Sequence, residues 1–417
     1  MKSFTSLCIA VLLALTSCSH TDNHALAEKI LSDTLMTRVE DMAVEMIMSG
    51  YNAGTGYAAT WIRDFYTLEE LALDHKDHAE IEDVLVTFME IQGEDGNIPD
   101  GYRFEDGERV AHKNTIETDQ ESSFILAVCL YVDYTGNKEF LSREVCGMTV
   151  TEHMEAAINY LLTSRYDSAH GLIWGGTTAD WGDVQPENEI GVLLDEDSHY
   201  SLDIYDNAML ICALNAFSGL LEDSRSREHW CEVRDGLARN VKKYLWDAKK
   251  QKYHPHVYLS GSPFPEDFDE EAIYYHGGTS IAMTAGLMTG KQVYEAYRTM
   301  KANQEAIGAH SIGLTMYPAY PTGYFKHPIL TEAYTYQNGG DWTWFGARTI
   351  KQLARYGYVE EAYEELRPML ERVAEQGDFY EWYSLAGEPR GSACYRGTAG
   401  VLYEAIKTLR AWAEENR

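Results

Sequence analysis

The chain has 417 residues and a formal net charge of −32, which argues against nucleic acid or an anionic membrane surface as a partner and weighs against an acidic polysaccharide as a substrate. Its 29 Tyr and 9 Trp suit a protein that binds the apolar C–H faces of neutral sugars, although rings also fill cores. Seven cysteines, odd in number and scattered, do not make a disulfide framework.

At the N-terminus, Lys2 precedes an apolar run, Ile9 to Leu15, which is too short to span a membrane. Residues 1–17 are therefore expected to be a secretory signal. The run ends in Leu15-Thr16-Ser17-Cys18, which resembles the bacterial lipobox. That resemblance implies a lipid on Cys18, a tether over residues 18–25, and a place in the bacterial cell envelope with the lipid as the membrane contact. Residues 26–417 are expected to form a single domain, since no Pro/Gly/Ser-rich linker or break in charge divides them.

Apolar residues then recur at i, i+3, i+4 and i+7, which predicts helices over Leu26–Met48, Ile62–Asp74, His78–Gln92, Asp119–Tyr134, Lys138–Glu144, Val150–Ser164 and Ser201–Leu221. The pattern continues through Arg225–Trp246, Thr279–Leu287, Val293–Asn303, Gly340–Tyr356, Val359–Gln376 and Gly397–Glu415. Strand-like alternation is scarce, and Tyr253–Leu259 is its best example. Short turns alternate with long loops rich in Gly, Pro, aromatics and acids: 50–61, 93–118, 170–200, 247–278, 305–340 and 377–396. One elaborate loop per helix pair predicts an all-α fold. It is an (α/α)6 toroid of six hairpins whose long loops form a funnel on one face. A generic helical bundle or an α-solenoid is the alternative.

The long loops carry the chemistry. The first ends in Trp61-Ile62-Arg63-Asp64, where an Arg–Asp pair suits vicinal hydroxyls and Asp64 also suits a helix N-terminus. In the second, Asp95-Gly96 and Pro99-Asp100-Gly101 read as turns. Glu117, Asp119 and Glu121 then complement a helix start, or else Glu117 and Asp119 face sugar hydroxyls. The third holds Asp180-Trp181-Gly182-Asp183, where an indole beside a carboxyl favours a retained proton at Asp180 or Asp183. The fifth holds Gln337 and Asn338, hydroxyl ligands by type, with Trp342 and Trp344 as a stacking platform. The sixth sets Glu381 between Tyr380 and Trp382. Two ring-framed carboxylates, Asp183 and Glu381, are what glycosidic hydrolysis requires. No His, Cys or acidic spacing predicts a metal, and no nucleotide or cofactor motif is present.

Four segments in order resemble the six-hairpin glycosidases, in particular glycoside hydrolase family 63 and the amylo-α-1,6-glucosidase part of glycogen debranching enzymes. They are Trp61-Ile62-Arg63-Asp64, Thr118-Asp119-Gln120, Asp180-Trp181-Gly182-Asp183, and Asp378-Phe379-Tyr380-Glu381-Trp382-Tyr383 with Gly387-Glu388-Pro389. The resemblance implies an inverting α-glycosidase on an (α/α)6 barrel, and the paired acidic-aromatic knots on a secreted toroid make an exo-acting hydrolase of α-linked neutral glycans, without a cofactor, the leading expectation. Asp183 is then the general acid and Glu381 the general base, about 6.5–9.5 Å apart to admit a water. Trp61, Arg63, Asp64, Glu117, Asp119, Trp181, Gln337, Asn338, Trp342 and Trp382 are expected to hold the oligosaccharide. One departure is that the β-rich domains frequent in those families leave little sign here. The competing expectations are a glycan-binding lipoprotein without activity, or a toroid epimerase, phosphorylase or unsaturated uronyl hydrolase.

Overall fold

A computed structural model describes residues 23–417. The expected signal and the Cys18 expected to carry a lipid lie outside the described residues. Thirteen α-helices follow in chain order among the described residues. They are α1 (23–31), α2 (Thr34–Ile47), α3 (Ile62–His75), α4 (His78–Glu90), α5 (Asp119–Thr135), α6 (Val150–Ser164) and α7 (Ile204–Leu220), then α8 (Ser224–Tyr244), α9 (His276–Thr284), α10 (Gly290–Ile307), α11 (Thr343–Arg355), α12 (Val359–Gln376) and α13 (Arg396–Asn416).

The odd-numbered helices from α3 to α13 pack in sequence, and α13 returns to α3, so they close a ring. Helices α2, α4, α6, α8, α10 and α12 back them as an outer ring. This is the (α/α)6 toroid. Burial follows the layer. Inner α5 and α7 are buried on nearly every face, whereas outer α8 buries only Trp230, Leu237 and Val241. Every long loop runs from an outer helix to the next inner one. All six therefore open at the N-terminal ends of the inner helices, on one rim. The returns from inner to outer helices are mostly short, such as Lys76-Asp77 and Tyr356 to Tyr358.

The helix expected over Leu26–Met48 is two helices. Asp33 leaves the helical region at φ −73° and ψ 107°, and its carboxylate caps the N–H groups of Leu35 and Met36. Residues 23–25, expected in a tether, are helical. The segment Lys138–Glu144 is a 3₁₀ turn, Lys138–Ser142, that leads into a hairpin between Glu144–Val145 and Met148–Thr149. Strand is more frequent than the alternation predicted. Its pieces are two to five residues long, lie outside the helices, and pair mostly across the rim loops. The stretch expected as one strand, Tyr253–Leu259, is split between two such pairings.

Candidate active site

On the rim, Asp183 and Glu381 line one cavity of about 570 Å³. Its walls come from the loops and first helical turns at five of the six outer-to-inner connections. Tyr57, Trp61, Arg63 and Asp64 enter from the first, and Asp100, Asn114, Glu117 and Asp119 from the second. Trp181 and Asp183 come from the third, Tyr336, Gln337, Trp342 and Trp344 from the fifth, and Glu381 and Tyr395 from the sixth. A second space of about 1160 Å³ opens farther along the inner helices, where Arg348 lies 5.4 Å from the Trp344 ring. Trp344, which lines the first, and Arg348, which lines the second, thus meet between the two.

Glu381 sits on the strand Tyr380–Tyr383, which pairs with Pro389–Ala393. The Tyr57 hydroxyl donates to its Oε1 at 2.6 Å, and the Ser392 N–H to its Oε2 at 2.8 Å. Gly391, at φ +69°, allows this approach, since a Cβ there would overlap the carboxylate. Burial raises the Glu381 carboxyl above its ordinary range, against the donors Tyr57, Ser392 and Tyr336, which favour the ionised form. Asp183 is less enclosed. Its Oδ1 accepts from the Gln337 amide at 2.9 Å, and its carbonyl accepts from Asn114 at 3.0 Å.

Arg63 is bidentate on Asp119, with Nε 2.7 Å from Oδ2 and Nη2 3.2 Å from Oδ1, and it also meets Glu117. Tyr205 of α7 donates to Asp119 Oδ2 at 2.6 Å. These ions satisfy one another, so they build the wall more than they wait for a ligand. The unpartnered buried polar atoms of the lining include the indole N–H groups of Trp61, Trp181 and Trp344, Oδ1 of Asp64 and Oε1 of Gln337. Burial pushes the Asp64 carboxyl up to about 7. The Trp181 ring meets Trp342 edge-on at 4.8 Å and leans on Phe345 at 4.7 Å, which gives an apolar floor.

Asn338 and Trp382, expected to bind substrate, are not in the lining. Asn338 instead holds the fifth loop: its Oδ1 accepts from Tyr320 N–H at 2.8 Å, and its amide donates to the carbonyls of Tyr320 and Leu330. Trp382 lies beside Glu381 at an irregularity in the strand pairing and meets Tyr336 edge-on. Asp180 also leaves the cavity. At φ +57° it turns back, and its carboxylate accepts the N–H groups of Gly277 and Gly278 at 2.6 and 2.8 Å. Burial pushes its carboxyl up to about 8. The two N–H donors and the α9 N-terminus oppose that shift.

Several lining residues were not singled out in the sequence. Asp100, read as part of a turn, is buried with its carboxylate on the Asn114 N–H and the Gln120 amide, and burial pushes it up to about 7. The pairing of Thr60-Trp61 with Gly101-Tyr102 brings it there. Tyr57 and Tyr395 carry no local signal, since their neighbours show no acidic-aromatic pattern of their own.

The fold and this pocket invite comparison with known proteins. A family model described as amylo-alpha-1,6-glucosidase matches residues 30–387. The chain belongs to that family. Its solved neighbours share the (α/α)6 glycosidase fold. A GH63 mannosylglycerate hydrolase from Thermus thermophilus, in complex with Tris and D-glycerate, is 16% identical with a TM-score of 0.61, over 88% of this chain and 99% of that one. A rhamnosidase from Klebsiella oxytoca with rhamnose bound is 16% identical with a TM-score of 0.60, over 89% of this chain. The GH78 family rhamnosidase of Bacillus sp. GL1 is 16% identical with a TM-score of 0.61, over 89% of this chain. The chain spans 63% of the Klebsiella enzyme and 34% of the Bacillus one. No curated protein matches the chain. Family and fold together support a glycosidase.

Proposed function

We propose that this protein is an inverting, exo-acting glycoside hydrolase that releases α-linked neutral sugars. The observation that carries this reading is that Asp183 and Glu381 line one pocket together with Trp181, Trp342 and Trp344. Asp183 gives its proton to the glycosidic oxygen as the C1–O bond breaks and the bonding pair leaves with that oxygen. Glu381 takes a proton from a water as the water oxygen bonds C1 from the opposite face. Tyr57 and the Ser392 N–H hold the Glu381 carboxylate in place for this task.

The Trp344–Arg348 contact between the rim pocket and the second space supports exo action. Six carboxylates in the lining (Asp64, Asp100, Glu117, Asp119, Asp183 and Glu381) stand against Arg63, which is already engaged. That balance supports a neutral substrate and weighs against an acid such as the D-glycerate in the Thermus complex. The α linkage follows the family description. Among the described residues the lining carries one Arg and no His. That set offers neither the paired histidines of an epimerase nor the Arg cluster of a uronyl hydrolase.

A release assay on a panel of α-linked oligosaccharides tests the reading, with proton NMR to identify the first-formed anomer. The β-anomer is expected first. Asp183→Asn and Glu381→Gln are each expected to lower kcat by about 10²–10⁴-fold. Wild-type turnover in either variant would remove that residue from its role, and a first-formed α-anomer would remove inversion.

A further inference from the structure

Gln337 is 1% exposed, yet its amide reaches the pocket. Its side-chain nitrogen donates to Asp183 Oδ1 at 2.9 Å, while its Oε1 is buried with no partner. The backbone beneath it is pinned. The Thr315 hydroxyl donates to the Gln337 carbonyl at 2.7 Å and accepts from Gly339 N–H at 2.8 Å, and Asn338 is tied to Tyr320 and Leu330. The reverse amide orientation would set Oε1 against a carboxylate oxygen whenever Asp183 is ionised. The amide therefore keeps its N–H on Asp183 and its oxygen beside Gly182.

The residue beside the acid makes room for this. A Cβ on Gly182 would stand 2.9 Å from Gln337 Oε1 and 3.0 Å from the Ala179 carbonyl oxygen. A side chain there would displace the amide. Arg63, Tyr336 and Glu381 are the other charged or titratable groups near Asp183, and none of them is hydrogen-bonded to its carboxylate.

An acid that protonates a leaving oxygen gains negative charge in the transition state. A fixed N–H on one of its oxygens stabilises that charge and leaves the proton to the other oxygen. We propose that Gln337 is a positioning residue for the acid step: its N–H holds Asp183 Oδ1, so the proton rides on Oδ2 toward the leaving oxygen. The inference rests on the reading of Asp183 as general acid.

The test compares two substrates that differ in their need for protonation. One is the α-linked disaccharide that the release panel identifies, and the other is the α-fluoride of the same sugar, whose leaving group departs with little help. Gln337→Leu is expected to lower kcat on the disaccharide by about 10–100-fold and on the fluoride by less than about threefold. Gly182→Ala, which leaves residue 337 intact, is expected to show the same selectivity, and it decides the matter if Gln337→Leu fails to fold. Equal losses on both substrates overturn the proposal, because a general structural role does not distinguish leaving groups. Asp183→Asn separates the two layers. If it spares the fluoride while the Gln337 and Gly182 variants do not, the role of Gln337 fails alone. If Asp183→Asn slows both substrates equally, the acid assignment itself fails.

Discussion

At Glu381, two opposing effects meet on one carboxylate. Burial favours the neutral acid, and the donors Tyr57, Tyr336 and Ser392 N–H favour the anion, while Asp183 faces it as a second acid. A base has to be ionised to act, so removing a donor costs activity at low pH. Tyr57→Phe is expected to move the acidic limb of kcat/KM to higher pH; a pH–rate profile of both proteins checks this. A limb that stays put would mean that the Tyr57 bond does not favour the charged form. The sequence made Asp183 and Glu381 visible because each is framed by aromatic residues on a loop. It did not make Tyr57 or Asp100 visible. Their partners Glu381, Asn114 and Gln120 lie at least 14 positions away along the chain.

Elements show the same division. The break between α1 and α2 turns on Asp33 and its own neighbours, so it was open to a local reading that favoured the apolar stripe instead. Helix α9 is different. It begins at His276, three residues before the predicted start, because the carboxylate of Asp180 caps Gly277 and Gly278 from about a hundred positions away. A Cβ on Gly277 would also overlap the Trp181 ring. The fifth and sixth loops are tied by a similar long-range strut. Arg372 of α12 is bidentate on Asp341 at 2.8 and 3.1 Å, and it lies 3.7 Å from the centre of the Tyr383 ring. Asp341 and Tyr383 also exchange backbone hydrogen bonds at 3.0 and 2.8 Å. This pair is fully enclosed, so Arg372→Met leaves Asp341 as an unpaired buried charge. The expected cost is about 3–5 kcal/mol, read from urea unfolding. A loss below about 1 kcal/mol would show that the strut adds little.

For the whole molecule, the buried carboxyls set a dependence of stability on pH. Asp64 and Asp100 are pushed up to about 7, and Asp180 up to about 8, by burial in the fold. In the unfolded chain each ionises near about 3.9. Between about pH 6.5 and 8 the folded state therefore binds more protons than the unfolded one, and stability falls as pH rises through that window. His276, held neutral by burial with its pKa lowered to about 3, works the other way, but only below about 6.5. The melting temperature is expected to be lower at about pH 8 than at about pH 6.5 at constant ionic strength, as calorimetry can show; an equal or higher value at the higher pH would mean that these carboxyls are already ionised in the fold. The chain by itself determined the helix pairs, the alternation of short turns with long loops, and thus the toroid, because helical periodicity and loop length are local and repeat around the ring. It also marked the two ring-framed acids. Only the closure of α13 onto α3 decided which carboxylates share a pocket, which way Asp180 turns, and that Arg63 and Asp119 satisfy each other. Those outcomes depend on distances across the ring between residues far apart in sequence, and no local pattern encodes such distances.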